Sequence, residues 1–207
     1  MNSSPNTHLA PERLVFFSDA VVAIAITLLM LELKVEQPEN GLLTWSTLAH
    51  SWKEFTALTL SFLLITIFWR VHYQFFERIQ KVDRVLLFYN CCWLFCIALL
   101  PFSTSLLSNY FGQQVSTGVY AVNHLCIAFF QNQIWDYVAV RPDFLKEELD
   151  KETVLFSRID CNVALLNTGL AAALAFYFPF ATVGILFLNR PMILAARWVW
   201  RRRKGSN

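Results

Sequence analysis

Residues 13–31 read RLVFFSDAVVAIAITLLML, an apolar run with a single carboxylate, Asp19, about a third of the way along it. A helix that crosses a membrane needs about 20 predominantly apolar residues, and this run has that length. An acidic side chain near the centre of a bilayer costs roughly 2.5 kcal/mol or more, so such a residue marks a functional position by default. The run therefore predicts a membrane-spanning helix in which Asp19 has a specific task.

The rest of the chain has the composition of a protein that crosses the membrane several times. Of its 207 residues, 56% are hydrophobic and only 15% are charged, whereas soluble domains contain about 25% charged residues. We predict an all-α polytopic membrane protein in which residues 1–207 form a single six-helix unit without a separate soluble domain. The predicted spans cover about 13–33, 54–76, 85–107, 116–138, 159–177 and 179–198. Asn189-Arg190-Pro191 interrupts the last span, which either crosses fully or bends into the interface.

Basic residues are concentrated in the connections on one side of these spans. If the N-terminus is cytoplasmic, the inner segments are 77–84, 139–158 and the basic tail. The basic residues of the outer connections are then only Lys34 and Lys53. This asymmetry follows the positive-inside rule. We therefore expect a multi-pass protein of the cell membrane with both termini in the cytoplasm. The formal net charge of +2 gives no indication of nucleic-acid binding.

Four polar side chains on three predicted spans lie at similar depths. Asp19, His72 and Asn90 each lie six residues from the arginine at the inner end of their span, which corresponds to roughly 9 Å along a helix. Trp69 lies one turn deeper than His72. A carboxylate, an indole N–H, an imidazole and an amide can satisfy one another where lipid cannot. Two readings stay open: the cluster only holds three helices together, or it also titrates as part of a gate.

Four positions of the first span share one face, with i, i+3, i+4 and i+7 spacing: Ile24, Thr27, Leu28 and Leu31. Ser18 and Asp19 project about 120° or more away from this face, since successive residues turn by 100°. In an arbitrary membrane helix such a face contacts lipid or the protein core. The spacing alone therefore does not distinguish those contacts from the lining of a path.

Several motifs in the first half of the chain resemble those of one family. Arg-x-x-x-Phe-Ser-Asp at 13–19, followed by Ala-Ile-Ala-Ile-Thr-Leu-Leu at 23–29, is similar to the first-helix signature of the potassium channels related to lysosomal transmembrane protein 175. Trp69-x-x-His72, Asp83 with Asn90, and Pro-Phe-Ser-Thr at 101–104 fit the same family. With a single six-helix unit, the chain resembles a prokaryotic member.

The resemblance implies a potassium channel, formed as a homotetramer in the lipid bilayer, whose four first helices line a central pore. It places the pore constrictions at Ile24, Thr27 and Leu31, with Leu28 beside them. It assigns the positioning of the helices to a second set: Arg13, Phe17, Ser18, Asp19, Trp69, His72 and Asn90. The chain has no Thr-Val-Gly-Tyr-Gly run of the carbonyl-filter type. Enzyme activity, a cofactor and a metal ion other than permeating potassium are not expected.

Other functions are compatible with the residues alone. In a secondary transporter or a proton-permeable cation channel, Asp19 and His72 would act as a proton relay. In an intramembrane enzyme, Asp19, His72 and His124 would be the catalytic groups, although no metal-binding pair and no nucleophile motif accompany them. A structural membrane protein without transport activity is the remaining alternative.

Overall fold

The computed structural model describes residues 11–33, 42, 44–147 and 149–204, and this part of the chain is all-α, as predicted. The predicted outer residue Lys34 lies outside the described residues. The helices are α1 (Pro11–Leu31), α2 (Trp45–His50), α3 (Trp52–Phe76), α4 (Arg84–Ala98), α5 (Leu100–Asn109), α6 (Gln114–Ala139), α7 (Lys151–Leu174), α8 (Pro179–Phe187) and α9 (Asn189–Lys204). A short 3₁₀ turn at Pro142–Phe144 follows α6.

Three segments within the described residues are long and apolar enough to cross a membrane. They are α1, α3 and the continuous pair α4–α5 (Arg84–Asn109), which correspond to the first three predicted spans. The pair α8–α9 also passes this test when taken as one span, but it is bent by 53°. The bend lies at the predicted interruption, where Pro191 lacks the backbone N–H that would continue the hydrogen-bond ladder. The last predicted span therefore bends.

α6 and α7 occupy the positions of the fourth and fifth predicted spans. α7 begins at Lys151, eight residues before the predicted start of its span at 159, because the Asp150 side chain caps the helix and accepts a hydrogen bond from the Thr153 backbone N–H at 2.5 Å. Hydrogen bonding to Thr153 lowers the pKa of the Asp150 carboxyl group. Neither α6 nor α7 is among the helices apolar enough to be identified as spans by composition.

The two connections predicted to be cytoplasmic lie together at one end of the helix bundle. The Gln80 backbone N–H donates to the Phe144 carbonyl at 2.8 Å, and the Lys146 N–H donates to the Arg78 carbonyl at 3.0 Å. The Gln80 side-chain amide adds a hydrogen bond to the Leu145 carbonyl at 2.7 Å. Segments 77–84 and 139–158 thus share one end of the fold, which agrees with their assignment to the same side of the membrane.

The N-terminal half of the fold is built around one face of α1. α1 packs against α3, α4 and α5 through Leu14, Val22, Ala25 and Leu29, which are all buried. Trp93 on α4 and Trp135 on α6 are the bulkiest fully buried side chains in the described part of the chain. α1 therefore has one face fixed in the protein core and an opposite face without a neighbour among the described residues.

Candidate pore-lining face and its supporting network

All four residues predicted to line a pore lie on the unpacked face of α1. Ile24 is 57% exposed and Leu31 is 72% exposed, and Thr27 and Leu28 are exposed beside them. An extended apolar surface of this kind marks contact with lipid or with another protein surface.

Thr27 introduces an oxygen into this otherwise apolar face. Its hydroxyl donates to the Ile24 carbonyl of the same helix at 2.7 Å. This bond uses the only proton of the hydroxyl and leaves oxygen lone pairs available on the exposed side. Thr27 can therefore present an oxygen ligand to a cation while remaining fixed to its own helix.

The buried face of α1 is held to α3 and α4 by a three-residue hydrogen-bond network. Asn90 on α4 donates through Nδ2 to the Ser18 hydroxyl at 3.0 Å. Its Oδ1 accepts from His72 Nε2–H on α3 at 2.7 Å, and Ser18 in turn donates to the Leu14 carbonyl at 2.8 Å. All three side chains are at most 1% exposed. The network therefore links α1, α3 and α4 inside the bundle and stabilises one rotation of α1 about its axis.

The His72 ring is also held by aromatic contacts. It stacks on Trp93 with ring centroids 4.3 Å apart and an interplanar angle of 14°. His72 Nδ1 is buried and has no hydrogen-bond partner within the described residues. The imidazole therefore depends on Asn90 for its polar contact.

Asp19 makes a separate connection between α1 and α3. The Trp69 indole N–H donates to the Asp19 carboxylate at 2.8 Å. Asp19 and His72 thus have different partners, and no hydrogen bond joins them directly among the residues that the structure describes. This arrangement gives no direct support to the proton relay considered from the sequence.

Arg13 and Phe17 differ from the other residues expected to position the helices. Both are exposed, and Phe17 is 56% exposed. They lie on the same unpacked side of α1 as Ile24, because positions 13, 17, 20 and 24 follow one another at helical spacing. Within the described part of a single chain they therefore lie outside the hydrogen-bond network, and their role in positioning the helices stays a prediction.

A second polar cluster, which the sequence analysis did not identify, joins α3, α5 and α6. Thr104 on α5 donates to the Ser61 hydroxyl at 2.7 Å, and Ser61 is hydrogen-bonded to the Tyr120 hydroxyl at 3.0 Å. On the next turn, Asn123 Nδ2 donates to the Ser103 hydroxyl at 3.1 Å. In the sequence, this cluster is indicated by the Pro-Phe-Ser-Thr motif at 101–104. In the structure, the hydroxyl groups of that motif form hydrogen bonds between helices.

The fold and this face of α1 define an α-helical membrane protein with a polar network supporting its first helix. A sequence model of the family described as endosomal/lysosomal potassium channel TMEM175 matches residues 13–101. A potassium channel of Streptomyces collinus is 32% identical over 195 residues, which cover 92% of this chain and 89% of that protein. The chain belongs to the TMEM175 potassium channel family.

Two further relatives bear on fold and function. The crystal structure of a lysosomal potassium-selective channel TMEM175 homolog from Chamaesiphon minutus is similar with a TM-score of 0.78 and 30% identity, over 90% of this chain and 97% of that one. A Danio rerio relative named endosomal/lysosomal proton channel TMEM175 is 24% identical over 140 residues, which are 66% of this chain and 26% of that protein.

Proposed function

We propose that the chain is the subunit of a potassium channel in a prokaryotic cell membrane. The relatives from Streptomyces collinus and Chamaesiphon minutus carry the names of potassium channels and align over nearly the whole chain. In this proposal the subunit crosses the membrane six times, with α8 and α9 together forming the bent sixth span and both termini in the cytoplasm. Four copies surround one pore.

The exposed face of α1 is the observation that carries this proposal. It presents Ile24, Thr27 and Leu31 on the side opposite the hydrogen-bond network. When four copies place this face on a common axis, rings of isoleucine and leucine close the pore by dewetting. The single ring of Thr27 side chains supplies hydroxyl oxygens to a partly dehydrated cation. Selectivity for potassium over sodium then reflects the smaller cost of removing water from the larger ion.

Asp19 is a positioning residue in this mechanism. Its hydrogen bond to Trp69 and the hydrogen bond between Asn90 and Ser18 hold α1 at two successive positions. Both positions face away from the pore. The carboxylate therefore orients the pore-lining face without being a ligand of the permeating ion.

Potassium flux out of liposomes whose only protein is the purified chain tests this function. Vesicles with an outward potassium gradient should lose potassium at rates far above those of a carrier, and replacement of potassium by sodium should slow the flux. A pH-sensitive dye inside the same vesicles measures proton entry, which the name of the Danio rerio relative makes the second candidate activity. Oriented vesicles without any potassium flux would contradict the proposal, and strict coupling of potassium to proton movement would favour a transporter.

A further inference from the structure

A cavity of about 470 Å³ lies between α3, α6, α7 and the bent pair α8–α9, away from the exposed face of α1. Part of its wall is apolar and includes Leu64, Phe68 and Leu186. Four arginines also line it: Arg70, Arg78, Arg190 and Arg197. Asp160 is the one acidic residue among the described residues that line the cavity, so their formal charge is +3 (four arginines less one aspartate).

Two of these arginines are satisfied by the protein. Arg197 Nε donates to the Asp160 carboxylate at 2.7 Å, and its second nitrogen pairs with the other carboxylate oxygen. Arg78 Nη1 donates to the Ser157 hydroxyl at 2.6 Å. Asp160 is therefore already committed to a bidentate ion pair, and its charge is not available to the remaining arginines.

Arg70 and Arg190 have no side-chain partner among the described residues. Both are exposed, and they approach the cavity from α3 and α9 respectively. Arg70 lies on α3, eight residues before Arg78, which follows the end of that helix. An arginine within a membrane span is retained only with a counter-charge or access to water. The two guanidinium groups are therefore free to bind an anion at the cavity.

Three of the residues that line this cavity also have a buried side-chain acceptor without a hydrogen-bond partner among the described residues. The side-chain oxygens of Asn167 and Asn189 are buried and unpaired within the described part of the chain. His124 donates through Nδ1 to the Tyr120 carbonyl at 2.9 Å, so its buried Nε2 is a further unpaired acceptor. The lining therefore suits a ligand that combines an anionic group with hydroxyl donors, since buried polar atoms need partners.

The geometry points to a binding site for an anionic phospholipid with a polyol headgroup, of the phosphatidylglycerol class. Its phosphate would lie between Arg70 and Arg190, because guanidinium groups bind phosphate oxygens through paired charge-assisted hydrogen bonds. Its hydroxyl groups would donate to the unpaired acceptors, and an acyl chain would follow the apolar wall. The site is separate from the proposed pore, and its existence does not depend on ion conduction.

Native mass spectrometry of the purified protein tests this site with phosphatidylglycerol and phosphatidylcholine at equal concentration. We expect the wild type to retain phosphatidylglycerol preferentially, and Arg70→Gln with Arg190→Gln to weaken that binding by at least about tenfold, as expected for two lost charge-assisted contacts. The matched control is Arg84→Gln with Arg202→Gln, which removes the same charge from exposed residues outside the cavity. This control should bind phosphatidylglycerol as the wild type does.

Further measurements distinguish between the possible ligands of this cavity. Excess glycerol phosphate should leave the lipid bound, and its displacement of the lipid would identify a site for soluble phosphates instead. Arg70→Lys with Arg190→Lys keeps the charge and should bind phosphatidylglycerol more weakly than the wild type but more tightly than the glutamine variant. Equal retention of the two lipids by the wild type would overturn the inference. So would dissociation of the oligomer in the glutamine variant without loss of lipid, since the arginines would then hold a second copy of the chain.

Discussion

Replacement of Asn90 by leucine is expected to reduce potassium flux at least about tenfold and to destabilise the protein by about 1–3 kcal/mol. Asn90 is fully buried and is the common partner of His72 and Ser18. Leucine would leave both nitrogens of the buried imidazole unpaired, because Nδ1 already lacks a partner within the described residues. A buried donor that loses its partner costs about 1–3 kcal/mol.

The flux should fall because the same bonds hold α1 in one rotation. A free-energy difference of about 1.4 kcal/mol between two orientations of a helix changes the ratio of their populations by a factor of about ten. Thermal unfolding in detergent and liposome flux measure the two effects. Asn109→Leu is the control, since Asn109 is exposed and, among the described residues, its side chain bonds only to Ser105 one turn away at 3.3 Å. An Asn90→Leu protein with the stability and flux of the wild type would show that the network has no part in positioning α1.

Replacement of Ile24 by alanine is expected to lower the potassium-to-sodium permeability ratio towards one. In the proposed tetramer this change removes a ring of four large apolar side chains from the pore. A wider and wetter constriction lets sodium pass with more of its hydration shell, and the apolar ring would no longer close by dewetting. Reversal potentials in mixed potassium and sodium solutions measure the ratio.

Met30→Ala is the matched control for this change. Met30 is also exposed on α1, at 55%, but it projects about 120° from Ile24 around the helix, since each residue turns by 100°. Its truncation should leave the permeability ratio unchanged. If Met30→Ala lowers the ratio and Ile24→Ala does not, another face of α1 controls selectivity.

Regular helix geometry accounts for how much of the site could be predicted from the sequence. Counting residues from the arginines placed Asp19, Trp69, His72 and Asn90 near one another, and the structure joins them in two hydrogen-bonded groups. The count depends only on a constant rise per residue. The individual pairings depend on the rotation of each helix about its axis, which packing determines. Depth alone could therefore not assign Trp69 to Asp19 and His72 to Asn90.

The other features required tertiary information. Ser61 and Tyr120 are single polar residues in long helices, where a hydroxyl group usually bonds its own backbone, and only the contact of α3 with α6 brings them together. The cavity with Arg70 and Arg190 depends on the direction of the 53° bend between α8 and α9. A proline and an asparagine predict that a helix breaks, but they do not predict where the following helix points.

Cysteine accessibility along α1 tests most directly whether its exposed face lines the ion path. Single cysteines would be introduced into a functional background in which the five native cysteines are replaced, and a charged methanethiosulfonate reagent would be applied during potassium flux. We expect block after Ile24→Cys, Thr27→Cys and Leu31→Cys, and unchanged flux after Val22→Cys, Ala25→Cys and Leu29→Cys on the buried face. Unchanged flux at all three exposed positions would show that this face contacts lipid and does not line the ion path.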